Sequence, residues 1–249
     1  MVQLHTIGQR SRGDGRTNRR RSAYEELRER IIRGRIGPAT RLTEVEVARQ
    51  LNVSRTPARE ALQQLYAGGF LIRANQGRRS ELAVAPLTRT DLVDVYRSTA
   101  ALEGAAARGV ADLSPAERKS LTAAMVKAAA AFQRVAERRP GATEKMFDLH
   151  NEFHRLIDAR CAGGRLRALL EYIRPHVQRY EWVYAPFVGP SRYRKTFAEH
   201  QRIVAAMAKG DPDAAERAVR SNWENSAIRL LQALDRVGQR GDWIVAGQG

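Results

Sequence analysis

The tightest constraint on this chain lies in residues 41–85, where two short amphipathic segments flank the turn Asn52-Val53-Ser54. Thr43 stands at an N-cap position with Glu46 three residues on as its capping-box partner, and Val47, Ala48 and Leu51 recur at helical spacing. Asn52 ends that helix, and a second runs from about Arg55 to Ala67. Helices joined this tightly form a helix-turn-helix, whose second member can lie in a major groove with its first residues at base edges. There Ala58, Ala61, Leu62 and Leu65 fall on one side, and Arg55 and Arg59, four residues apart, on another. Ser54, Arg55, Thr56 and Arg59 are therefore the candidate DNA contacts, since arginine bonds guanine or phosphate through two donors and hydroxyls bond phosphate. Pro57 fits the first turn, where no intrahelical donor is needed. Arg41 and Arg49, flanking the first helix, are candidate phosphate contacts.

Downstream, Phe70–Ala74 and Glu81–Ala85 are strand-like runs separated by the polar turn Asn75-Gln76-Gly77-Arg78-Arg79, which predicts a β-hairpin wing with a basic tip. Charge agrees with a polyanionic partner: 43 Lys and Arg against 27 Asp and Glu give a net charge of +16. Residues 1–21 carry six Arg against one Asp with hardly any apolar side chain, and are expected to form a disordered basic tail. The folded unit then starts near Ser22, where Tyr24, Leu27, Ile31 and Ile32 share a helical face. Cys161 is the single cysteine, which excludes an internal disulfide, and no apolar run is long enough to span a bilayer. A cytoplasmic protein without membrane contact is expected.

From residue 88 to 236 the pattern is all helix. Six segments, at about 89–111, 114–138, 142–161, 165–185, 191–209 and 211–236, are separated by Gly and Pro breakers, and residues 237–249 are expected to be a flexible tail. The fold class is thus mainly α: a winged helix-turn-helix over residues 22–87, then an all-α bundle of about six helices.

Residues 22–87 resemble the GntR family of bacterial regulators. The match runs through Leu27-Arg28, Ile31-Ile32-Arg33-Gly34, Leu42-Thr43-Glu44, the run Leu51 to Leu62, Leu65 and Gly69-Phe70-Leu71. The resemblance implies a homodimer reading a palindromic double-stranded operator, with Arg55, Thr56 and Arg59 at the DNA and Gly77, beside Arg78, at the wing tip in the minor groove. Val45 stands where many relatives place an arginine that reaches the DNA. Residues 89–236 are similar to the effector-binding helical domain of the FadR branch, through Leu102-Glu103, Phe153-His154, Glu199-His200-Gln201-Arg202-Ile203 and Ala206–Asp211. A repressor sensing a small metabolite, such as an organic acid, is what this implies.

Three helices of that half place polar groups on apolar stripes: His150 with His154, His200, and Asn222. Three imidazoles and an amide in one bundle offer a site for a divalent transition metal such as zinc. Relatives that bind metal supply Asp where this chain has His150, and a further His where it has Asn222, while His154 and His200 match. Relatives also carry an arginine, at the position of Thr99, that grips an organic acid; Arg97 lies nearby. Tyr172 and Tyr180 are further candidates for the effector pocket. Two other functional classes stand beside a regulator. One is a metal-dependent hydrolase using the same histidines with Glu152 or Glu199 as base, although His150-Asn151-Glu152-Phe153-His154 misplaces the Glu of the two-His protease motif. The other is an architectural DNA binder acting by charge alone.

Overall fold

The computed structural model describes residues 14–74, 81–138, 143–188 and 191–241. Internal contacts divide the chain into an N-terminal unit, extending through Ile31 and over Arg35–Ala85, and a helical unit from Pro86 onward that also takes in Ile32–Gly34.

The first helix, α1 (Asp14–Ile32), buries Ala23, Leu27 and Ile31. It starts eight residues before Ser22, so 14–21, expected to be disordered, are helical. Lack of apolar residues stops a segment from building a core, but arginine is a good helix former and no proline interrupts the run. Strand β1 (Arg41–Leu42) leads to α2 (Glu44–Leu51), whose capping box is formed by Glu46 N on Thr43 Oγ1 at 3.3 Å and Thr43 N on Glu46 Oε2 at 3.2 Å. Asn52 ends α2 in the left-handed region at φ 51°, a conformation asparagine tolerates better than most residues. Helix α3 (Arg55–Ala67) then buries Ala58, Ala61, Leu62 and Leu65. Strands β2 (Leu71–Arg73) and β3 (Leu82–Val84) complete an antiparallel sheet in the order β1-β3-β2, with Arg41 opposite Ala83 and Ile72 opposite Ala83 on the other side. The sequence pattern predicts the hairpin but not β1, because two residues are too few to show alternation. The wing tip, with Gly77 and Arg78, lies outside the described residues.

The helical unit follows the expected segmentation. Its helices are α4 (Arg89–Arg108), α5 (Pro115–Arg138), α6 (Thr143–Cys161), α7 (Gly164–Tyr184), α8 (Ser191–Lys209) and α9 (Pro212–Val237). Thr88, Ser114 and Asp211 cap α4, α5 and α9 through side-chain oxygens that accept backbone N–H bonds. Helix α4 packs along α9, and α5 packs against α6 and α8. Leu92, Tyr96, Phe153, Ile157, Ile203, Met207, Val219 and Trp223 form the core between them. Beyond α9 the expected flexible tail is, over residues 238–241, docked: Leu87 N bonds Arg240 O at 2.8 Å and Arg240 N bonds Leu87 O at 3.1 Å. Backbone pairing between segments so distant leaves no periodic signal in either one.

Candidate DNA-binding surface and histidine centre

The capping and packing of α2 and α3 leave Ser54, Arg55, Thr56 and Arg59 together on the exposed side of α3. Ser54 occupies the N-cap without a side-chain cap bond. Arg55 approaches Glu44 Oε2 at 3.6 Å, a neighbour that no spacing in the sequence singles out, and its side chain stays 73% exposed. Arg49 is exposed at the end of α2. Arg41 is exposed too, and its guanidinium is paired with Glu81, the residue before β3. Val45, 58% exposed, is a large apolar side chain in contact with solvent on this unit.

In the helical unit, the i, i+4 spacing on α6 sets His150 above His154, and α8 brings in His200. One ligand atom from each of the three lies within 4.8 Å of the others. The His150 and His200 rings stack at 5.2 Å, and His200 stacks on Phe153 at 3.9 Å. Burial holds all three imidazoles well below their ordinary pKa, and Arg174 lowers those of His150 and His154 further. They are therefore neutral, the form that binds a metal. His154 Nδ1 lies 2.5 Å from Glu103 Oε1, within hydrogen-bond reach, and His150 Nε2 lies 3.6 Å from Glu181 Oε1. The opposite nitrogens, His154 Nε2 and His150 Nδ1, have no hydrogen-bond partner among the described residues, nor has either nitrogen of His200. Buried polar atoms without partners cost free energy, and carboxylates behind histidines are the usual support of metal-ligating imidazoles. The donor set fits a divalent transition metal, which His150, His154 and His200 would hold as a Lewis acid open to a small ligand.

Other expected members of the site are placed elsewhere. Asn222 is buried, yet its amide donates to Glu199 Oε2 at 3.0 Å, in a cluster where Arg229 grips both Glu199 oxygens at 2.9 Å. Trp223, one residue on, faces His154 at 4.6 Å instead. Thr99 is buried and donates its hydroxyl to Val95 O of its own helix at 2.8 Å. Arg97 and Tyr172 are exposed. Tyr180 is a clamp: its hydroxyl accepts from Thr88 N at 3.1 Å and donates to Asp91 Oδ2 at 2.6 Å. Of the two bases considered for hydrolysis, Glu152 is exposed and Glu199 is held by Arg229.

A cavity of about 60 Å³ adjoins His150 and is walled by Phe132, Met146, Glu181, Ser226 and Arg229 among others. None of the effector residues expected from the sequence lines it. The aromatics of α7 point to Tyr172 and Tyr180, whereas α7 meets the cavity through Glu181, and Ala185 does so just beyond its end. A buried guanidinium does stand beside Glu103, but it comes from α7: Arg174 bonds Glu103 Oε2 at 3.1 Å and also pairs with Asp158. Burial, opposed by Arg174, pushes the Glu103 carboxyl up to about 7.

An exposed basic recognition helix and a buried histidine centre in a helical bundle agree with the likeness of this chain to known proteins. Residues 19–79 match the model of bacterial regulatory proteins of the gntR family, and residues 94–225 match the FCD domain. The chain is 26% identical to the uncharacterized HTH-type transcriptional regulator YdhC of Bacillus subtilis, over 85% of this chain and 91% of that protein. It is also 26% identical to the HTH-type transcriptional repressor RspR of Escherichia coli, over 89% and 91%. Among solved structures, E. coli McbR/YncC shares the fold at a TM-score of 0.69, with 20% identity over 86% of this chain and 97% of that one. No described helix is long and apolar enough to cross a membrane. Members of this family are transcription regulators that bind operator DNA through the winged helix-turn-helix and small-molecule effectors through the FCD domain. The two matched segments stand in that order here, and the chain belongs to the GntR family as a transcription regulator with an FCD effector domain.

Proposed function

We propose that this regulator is a cytoplasmic, homodimeric repressor that reads a palindromic operator with Arg55, Thr56 and Arg59, supported by Ser54 and Arg49. Its helical unit holds a divalent metal on His150, His154 and His200 and takes its effector into the adjoining cavity. One observation carries the metal reading: four nitrogens on three neutral, buried imidazoles lack hydrogen-bond partners among the described residues, while carboxylates stand behind two of those rings. The family's mode of binding supports the dimer and the palindrome, and likeness to the repressor RspR supports repression.

Two measurements test this. Chelator-stripped protein titrated with zinc is expected to bind one ion per chain, and His154→Ala protein none. Selection of genomic fragments by the purified protein is expected to enrich a two-fold symmetric sequence. Zinc uptake unchanged in the variant would end the metal reading, and equal retention of random fragments the operator reading.

A further inference from the structure

The chain leaves the DNA-binding unit at Ala85, and the three residues Leu87, Thr88 and Arg89 are held from two sides. From the C-terminal end of α9, Arg240 forms both backbone bonds with Leu87, Gln239 Oε1 accepts from Arg89 N at 2.7 Å, and Asp235 pairs with Arg89 at 2.5 Å. From α7, the Tyr180 hydroxyl bridges Thr88 and Asp91, while Tyr184 donates to Gly238 O at 3.2 Å. The two tyrosine rings lie nearly parallel, 6.2 Å apart. Each of these helices also walls the cavity: α7 through Glu181, α9 through Ser226, Arg229 and Leu230.

We propose that this clasp of Leu87–Arg89 by Tyr180, Gln239 and Arg240 transmits occupancy of the cavity to the DNA-binding unit. The inference rests on the reading that the effector enters the cavity beside His150. A body that spreads α7 from α9 moves Tyr180 on one side of the linker and Arg240 on the other, and those two movements meet at Leu87–Arg89. Packed helices respond in discrete steps, so a small displacement at the cavity wall reaches the linker as a change of hydrogen-bonded state. In this arrangement the coupling free energy resides in a few replaceable bonds, and the residues that carry it touch neither effector nor DNA.

The test needs no effector. In the full-length protein, Ser226→Leu adds a side chain into the cavity, and Ser226→Val is the milder form should the first fail to fold. Affinity for a genomic fragment selected by the wild type is measured by fluorescence anisotropy, in the intact background and with Tyr180→Phe plus Gln239→Ala. The expected result is a shift of about fivefold or more from the cavity substitution in the intact background, the lower end of ordinary coupling. In the declasped background the same substitution shifts affinity less than about twofold. Amide exchange at Leu87 is expected to rise with the cavity substitution in the otherwise intact protein. An equal shift in both backgrounds, or no shift with Leu87 exchange unchanged, overturns the proposal. Failure of zinc to bind overturns the metal reading alone and leaves this result standing.

Discussion

Glu103 Oε1 lies 2.5 Å from His154 Nδ1, with both side chains fully buried. With its proton on Nδ1 the imidazole would donate to Glu103 and leave the Nε2 lone pair free for a metal. Orientation of this kind is what a metal ligand requires from its support.

Replacing Glu103 by Gln keeps the shape and removes the charge. Zinc affinity, measured by competition with a chromogenic chelator, is expected to fall about 10–100-fold, the usual cost of removing such a partner. Affinity equal to that of the wild type would show that Glu103 plays no part in presenting His154.

Arg55→Ala with Arg59→Ala removes two exposed guanidiniums from α3 without touching its buried face. A bidentate bond from arginine to a base contributes about 1–3 kcal/mol of discrimination, so fragment binding should weaken by at least tenfold or so and become indifferent to sequence. Arg49→Ala should instead weaken all fragments alike and lower the salt slope by about one. Gel-shift titrations at several salt concentrations separate the two outcomes, and a double variant with undiminished preference would move recognition away from α3.

Asp158 gives a pH dependence of definite sign. Burial and the charge of Glu103, opposed by Arg174, push its carboxyl up from 3.8 to about 7. The unfolded chain releases this proton near its ordinary value while the native state keeps it, so the contribution to stability is whole below 3.8, falls as pH rises, and is gone above about 7. Against Asp158→Asn, the wild type should therefore lose ground between about pH 4 and 7 in urea denaturation with chelator present. A wild type that gains ground over that range would mean that Asp158 is ionised beside Arg174 throughout.

Gly109 has an ordinary helical φ of −61°, yet a Cβ there would stand 2.4 Å from Cys161 O. The clash is with backbone at the end of α6, so Gly109→Ala forces α4 and α6 apart. A loss of about 1–3 kcal/mol, the range for overpacking, is expected in chemical denaturation. A neutral substitution would show that this junction yields freely.

Much of the architecture is legible in the sequence because its signals are local. Capping residues such as Thr43 and Thr88, breakers such as Gly210, and the apolar stripe of α3 place the elements without knowledge of their partners. The three histidines are legible for the same reason, since spacing on α6 and the stripe on α8 turn them inward. What escapes depends on which neighbour a side chain meets. Asn222 shares the stripe of α9, but Glu199 and Arg229 claim its surroundings, and only packing of α8 on α9 reveals this. Tyr172 and Tyr180 lie on one helix, where burial decides between them: one is 56% exposed and the other fully buried. Arg174 sits in sequence within an aromatic cluster, and nothing there marks it as the guanidinium that faces Glu103. The docked residues Gln239 and Arg240 carry no signal at all.

The Leu87–Arg240 pair has a practical consequence for protein engineering. It brings the two ends of the run from Leu87 to Arg240 side by side, so that run has the geometry of a cassette: both splice points sit at one place. Grafting it behind a different DNA-reading head, or reopening the chain elsewhere and joining these neighbours with a short Gly-Ser bridge, should leave the histidine centre undisturbed.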